Sequence, residues 1–315
     1  MKFRTEIEVN PFPFSINHKS RVLLVGSCFT SNIGDRLENA GFKTFSNPFG
    51  ITFNPISLSK QIAHIIKGYQ FSENELTEFQ GQFLSFEHHS SFNNQSSLSA
   101  LKDINSSITR AQTELNTADV LFLSLGSAWV WERKESKKIV NNCHKVPAKE
   151  FNKKLLSSIE IKTALEQIMA DLKRFAPNLN VVFTLSPVRH WRHGAVENSR
   201  SKSLLQCCIH DIVNAHANAH YFPSYEIMMD DLRDYRYYAD DMLHPSQKAI
   251  DYIWMKFGEA FLTSQTKLAL ELVNKVRAMQ RHRTKSNDVE AHEKFKKKLS
   301  SRMEELRSRY GIELD

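Results

Sequence analysis

Residues 21–54 constrain the fold more than any other stretch of this chain. Residues 22–25 form a short apolar run, and Gly26-Ser27-Cys28 then turns sharply. A helical pattern follows from about residue 30 to residue 40, Gly41 ends it, and residues 42–45 read as a second strand leading into Asn47-Pro48-Phe49-Gly50. Strand, tight turn, helix and strand together make the unit of a parallel sheet. In such sheets ligands bind where the turns leave the carboxyl ends of the strands. The first of these turns carries both a serine and a cysteine.

The same grammar repeats downstream. Residues 119–125 (DVLFLSL) and 180–185 (NVVFTL) are continuous apolar runs bounded by Gly126 and by Ser186-Pro187, as expected of strands buried on both faces. Helical spacing appears over residues 56–67, 96–115, 157–175, 198–217 and 247–261. Short strands are expected at 83–86 and 219–223, and an edge strand at 5–9. The sequence therefore predicts an α/β domain with a mainly parallel sheet, and the turns at Cys28, Gly126 and Ser186 along one carboxyl edge. Residues 1–20 read as a lead-in, 21–264 as the domain, and 265–315 as a charged helical extension. Its heptads are ragged, which argues against a regular coiled coil. Its helices offer a surface for a second copy of the chain.

At 315 residues the chain can bury a full core. It contains no apolar run of membrane-spanning length, and its first residues lack the apolar core of a secretory signal, so a cytoplasmic protein is expected. The net charge of +7 is dispersed and accompanies no nucleic-acid motif, so it is read as a basic solvated surface. None of the 4 cysteines forms a CxxC pair. Cys207 and Cys208 are read as small buried residues. His88-His89 lacks further ligands at metal spacing, so neither a metal nor a cofactor is expected.

Two pieces carry chemistry. One is the Gly26-Ser27-Cys28 turn. The other is Asp241-Met242-Leu243-His244-Pro245, in which an aspartate three residues before a histidine can fold back onto the imidazole Nδ1 and leave Nε2 to take a proton from a thiol or hydroxyl. Arg189, with His190, Arg192 and His193, follows a strand end, where it could grip an anionic group.

GSCF at 26–29, NPFGITFNP at 47–55, LGSAWVW at 125–131 and NNCHKVPAKEF at 141–151 together resemble the GSCFA family, which is similar to the SGNH, or GDSL-like, hydrolases. The resemblance covers roughly residues 21–261 and implies a three-layer α/β/α sandwich. In the SGNH register Cys28 falls on the nucleophile and Ser27 on the preceding aspartate, with Ser27 the fallback nucleophile. Asp241 and His244 fall on the final block. Gly50 matches the glycine that gives an N–H to the oxyanion hole. The third block reads Gly126-Ser127-Ala128-Trp129 and lacks its asparagine, for which Asn142 or His144 could substitute. The resemblance implies a Cys28 thiol with its pKa lowered by the helix terminus and a nearby imidazole. It also implies hydrolysis or transfer of an acyl group from a small-molecule or carbohydrate ester or thioester. The alternatives are a non-catalytic module that binds a carbohydrate or acylated ligand, and an interaction protein working through its basic tail.

Overall fold

The computed structural model describes residues 4–281 and 289–314. Its strands are β1 (Arg21–Gly26), β2 (Lys43–Ser46), β3 (Thr77–Phe79), β4 (Gln82–Leu84), β5 (Val120–Leu125), β6 (Trp129–Arg133), β7 (Ile139–Val140), β8 (Phe151–Leu155), β9 (Asn180–Leu185) and β10 (Ala219–Tyr221). Its helices are α1 (Cys28–Asn39), α2 (Pro55–Lys67), α3 (Ser97–Asn116), α4 (Ser158–Phe175), α5 (Gly194–Ala215), α6 (Ser224–Glu226), α7 (Gln247–Phe261), α8 (Ser264–Arg281) and α9 (Val289–Glu305).

Five strands form the central sheet in the order β2-β1-β5-β9-β10, and every pairing is parallel. Side chains alternate across it. Leu23, Val25, Leu121, Leu123, Val181 and Phe183 pack under α2, α3, α4 and α5. Val22, Leu24, Val120, Phe122 and Val182 pack under α1 and α7. Period-2 alternation between two apolar layers is what makes these strands apolar throughout. The result is the expected three-layer α/β/α sandwich. The strand order reverses between β1 and β5, and such a switch point opens a crevice at the carboxyl edge.

The helices begin where their caps allow. Asn54 accepts the Ser57 N–H ahead of Pro55, Ser157 and Glu160 close a capping box on α4, and Ser246 caps α7. Helix α1 starts at Cys28, two residues earlier than the periodicity suggests, because Ser27 caps it.

Three expectations change. Residues 5–9 form no strand; the lead-in is instead strapped along the end of α7 by Phe12 N–H to Ala260 O (3.1 Å) and Ile16 N–H to Phe261 O (2.8 Å). A small antiparallel sheet, β7-β6-β8, stands after β5, and its β8 strand is too charged to read as one from sequence. Cys208 is buried but Cys207 is exposed, since consecutive helical residues point some 100° apart.

Only Leu262 and Thr263 separate α7 from α8. Ala269, Val273, Val276, Leu306 and Ile312 make a small core of the tail's own, while Leu268 is exposed. The chain end returns to the domain: a Cβ at Gly41 would lie 3.0 Å from Ile312 and 3.1 Å from Leu314. A domain boundary at residue 264 is proposed on composition. No helix among the described residues is long and apolar enough to cross a membrane.

Candidate active site

The turn after β1 is built on Gly26. Its φ of +144° lies outside the usual range of L-residues, and a Cβ there would collide with the Ser124 backbone. The close approach lets the Ser27 N–H reach Ser124 O (3.2 Å), and Asn47 Oδ1 accepts the Gly26 N–H (2.8 Å). Ser27 Oγ is shared between Ser124 Oγ (2.7 Å) and the Phe29 N–H (3.2 Å), and Ser27 is fully buried. Cys28, the next residue, opens α1 and is partly exposed.

Burial pushes the Cys28 thiol pKa up, against the pull of the Lys202 ammonium and of the Cys28 and Phe29 backbone N–H groups. This corrects the expected direction. Desolvation outweighs the helix terminus, and the positive charge acting on the thiol belongs to a lysine rather than an imidazole.

Asp241 and His244 meet in their own loop. His244 Nδ1 donates to Asp241 Oδ2 at 2.6 Å, and Asp241 Oδ1 accepts the N–H groups of Leu243 and His244, both at 2.9 Å. Met242 takes φ +60° between them. These backbone N–H bonds, with the imidazole, hold the Asp241 carboxyl at about 2. The loop reaches α1 through Pro245, which shares a crevice with Phe29, Asn32, Pro187 and Val188. Asn32 Nδ2 in turn donates to Cys28 O (3.1 Å). The structure thus brings the His244 loop to the first turn of α1, with no hydrogen bond between His244 and Cys28.

The remaining candidates separate. The Gly50 N–H donates to Asn47 O (2.7 Å), so it closes its own turn and does not face the edge as an oxyanion donor. His144 is buried, and its Nε2 lies 2.8 Å from the Ser85 carbonyl. Desolvation lowers its pKa and keeps the ring neutral. A carbonyl only accepts, so Nε2 carries the proton and Nδ1 is an acceptor. His144 therefore has no proton to offer an oxyanion. Asn142 Oδ1 accepts the His144 N–H (2.8 Å), which leaves its amide NH₂ as a donor. Ser127 is buried, donates its N–H to Phe53 O (3.1 Å), and accepts the Trp129 N–H on Oγ (3.0 Å).

The basic cluster divides. Arg189 Nη2 lies 3.3 Å from Met229 Sδ, and its charge acts on Tyr225 and Tyr238. Arg192 lies over the Trp131 ring at 5.2 Å. The His193 side chain lies outside the described residues.

Beside the β5 edge opens a cavity of about 460 Å³, whose walls include Phe53, Trp129, Trp131, Asn142, His190 and Arg192. Gly126 packs tightly behind two of these wall residues: a Cβ there would lie 2.8 Å from His190 Nε2 and 3.2 Å from the Phe53 ring.

Sequence reading missed Lys202. It is buried on α5, and its Nζ donates to Ser186 O (2.7 Å) at the end of β9. The signal was present: Lys202 is in helical register with Leu205, Cys208, Ile209 and Ile212, the buried stripe of α5.

A three-layer sandwich with a cysteine at the β1 turn and an Asp–His pair in the loop before the last sandwich helix defines the class. The GSCFA family signature matches residues 21–257, and the chain belongs to that family. No curated protein sequence matches it. Among solved structures, it is similar to a carbohydrate esterase family 2 enzyme with a carbohydrate binding domain from Corynascus thermopiles (Myceliophthora fergusii). The identity is 12%, covering 82% of this chain and 69% of that one, at a TM-score of 0.40. It is also similar to a carbohydrate esterase family 3 protein from Talaromyces cellulolyticus, with 8% identity, 81% and 99% coverage, and a TM-score of 0.36. An acetyl xylan esterase from the rumen bacterium Butyrivibrio proteoclasticus gives 11% identity, 83% and 64% coverage, and a TM-score of 0.38.

Proposed function

We propose that this GSCFA protein transfers acyl groups through a cysteine, hydrolysing an ester or thioester or passing its acyl group to a hydroxyl acceptor. The observation that carries this reading is the Asp241–His244 pair, closed at 2.6 Å in a loop that borders the same helix turn as Cys28. Cys28 Sγ attacks the acyl carbonyl and forms a C–S bond. His244 Nε2 takes the thiol proton and gives it to the leaving oxygen or sulfur as that bond breaks. Water or an acceptor hydroxyl then attacks the thioester, its proton passes to His244, and the C–S bond breaks to return the thiol.

Asp241 fixes the imidazole tautomer and stabilises its charged form. The oxyanion is met by the Cys28 backbone N–H at the open end of α1, joined by the Asn142 amide. The cavity seats the rest of the substrate. Trp129 and Trp131 point to one side of β6 in the cavity wall, with Lys153 and Arg192 over their rings, and Asn142 supplies a further polar group; a wall of aromatic rings and polar groups suits an O-acylated sugar.

A binding-only module is the second reading, favoured by the Gly50 N–H turned into its own turn. The two are separated by turnover. A panel of acetyl esters, acetylated sugars and acyl thioesters is expected to show activity that Cys28→Ala and His244→Ala each remove. Binding of such ligands with no turnover on any of them sinks the catalytic reading.

A further inference from the structure

The cavity of about 460 Å³ holds charge of one sign. Its permanently charged wall residues are Lys145 and Arg192, and among the described residues no aspartate or glutamate lines it. Strand register adds a third cation. Trp131 of β6 stands directly opposite Lys153 of β8, and Trp129 is two residues from Trp131, so these three side chains share one face of the small sheet. Lys153 Nζ lies 3.8 Å from the centre of the Trp129 ring, and the Arg192 guanidinium lies 5.2 Å from that of Trp131. Cation–π contacts of this kind hold two flexible cations against rings of the cavity wall. Lys145 is brought to the wall by a turn in which His144 and Lys145 both take positive φ, 48° and 62°.

The acids of the adjoining segments are committed elsewhere. Glu197, whose carbonyl accepts the Trp129 Nε1–H (3.3 Å), receives Arg200 on both carboxylate oxygens (2.9 and 3.1 Å). Glu160 pairs with Lys154, which register places on the opposite face of β8 from Lys153, and Glu135 pairs with Arg133. Glu132 alternates to the face of β6 away from the tryptophans. A cleft lined by charge of one sign focuses its field and concentrates ligands of the other sign. The three cations around this cavity therefore call for an anion.

We propose that the cavity selects an O-acylated sugar that itself carries an anionic group, a carboxylate or a phosphate, received by Arg192 together with Lys145 and Lys153. This rests on the proposed acyl transfer and names the substrate class for it. The guanidinium of Arg192 presents paired N–H donors that match a carboxylate or phosphate edge, while the two lysines act as point charges. Trp129 and Trp131 border the sugar ring beside them. A neutral acetylated sugar fills the same space but leaves the cations unanswered, and is the poorer ligand.

Binding and turnover are measured separately. Cys28→Ala, which cannot form the thioester, is titrated calorimetrically with O-acetyl glucuronate, with its neutral methyl ester and with an O-acetyl hexose phosphate. At least one of the two anions is expected to bind about tenfold or more tighter than the methyl ester, as one charge-assisted hydrogen bond provides. The tighter of the two identifies the group as carboxylate or phosphate. The preference is expected to shrink in about 1 M salt and on adding Arg192→Gln, with Arg192→Lys restoring part of it. Circular dichroism checks that each variant is folded. Equal binding of anion and methyl ester, binding of no anion, or a preference that survives Arg192→Gln combined with Lys145→Gln and Lys153→Gln overturns the proposal. Acetate release by the wild type separates this result from the reading beneath it. Selective binding of an anion with no acetate released keeps the cavity assignment and removes acyl transfer. Equal release from acid and methyl ester keeps acyl transfer and removes the anion preference.

Discussion

His244 Nδ1 and Asp241 Oδ2 lie 2.6 Å apart, while the other oxygen of the same carboxylate accepts two backbone N–H groups of its own loop. One aspartate therefore shapes the loop and orients the imidazole. Asp241→Asn keeps an acceptor for the backbone but can present an N–H to the imidazole, which favours the wrong tautomer. Turnover is expected to fall by about 10²–10⁴-fold with little change in Tm, as read by steady-state kinetics beside a melting curve. The Asp241 carboxyl, held at about 2, stays ionised until pH falls through that value. Its contribution to loop stability is present above the ordinary aspartate range and is lost only below it. An acid limb of activity centred well above 2 therefore belongs to another group.

The two residues of the turn divide their work. Ser27 is buried and capped into α1, so Ser27→Ala is expected to lose about 1 kcal/mol of stability while Cys28 remains alkylatable. Cys28→Ala should leave stability nearly intact and remove acyl transfer. The reverse pattern, with activity following Ser27, would make the serine the nucleophile.

Gly26 is irreplaceable for a different reason. A side chain there meets the Ser124 backbone and must adopt φ +144°. Gly26→Ala is expected to cost about 3 kcal/mol or more, measured by denaturant unfolding, and to spoil the register between β1 and β5 that places Cys28.

Much of this was legible in the chain. Apolar runs with Gly or Ser-Pro at their ends located β1, β5 and β9, because strands covered on both faces admit few polar residues. The Gly-Ser-Cys turn and the Asp-x-x-His loop were legible because their geometry is local. Gly50 was not: whether its N–H faces the site depends on the turn that Asn47 closes. Lys202 was legible only through its register with the buried stripe of α5, since its neighbours Arg200, Ser201 and Ser203 look like a solvated helix face. Only the rotation of α5 against β9 buries it. His144 looked like a donor until the Ser85 carbonyl fixed its tautomer. Strand β8 (Phe151–Leu155) was hidden because its three central residues are exposed and polar.

Away from the edge, Glu87 predicts how the domain meets acid. Burial would raise its carboxyl, but the hydrogen bonds from His64 (3.1 Å) and Lys60 prevail and hold it at about 2. A carboxyl depressed below its unfolded value of about 4.3 stabilises the fold above that value and ceases to as pH falls toward 2. Glu87→Gln is expected to lower Tm at neutral pH and to flatten the loss of stability between about pH 5 and pH 2, as followed by thermal melts. A parallel shift of the whole curve would contradict this.

If the cavity seats the substrate, Trp131→Ala should weaken binding without disarming the thiol. The expected result is a KM raised about tenfold, the loss of one stacking face, with unchanged Cys28 alkylation. A fall in kcat with constant KM would place the substrate elsewhere.

A covalent acyl group on Cys28 can be trapped. His244→Ala, which lacks the base for deacylation, is mixed with an activated acetyl ester at alkaline pH, where the Cys28 thiolate forms without a base, then quenched in acid and mapped by peptide mass spectrometry. One acetyl group is expected on the Cys28 peptide, absent in Cys28→Ala and cleared faster by the wild type. Acetyl on Ser27, or no adduct with an ester that the wild type turns over, would contradict it.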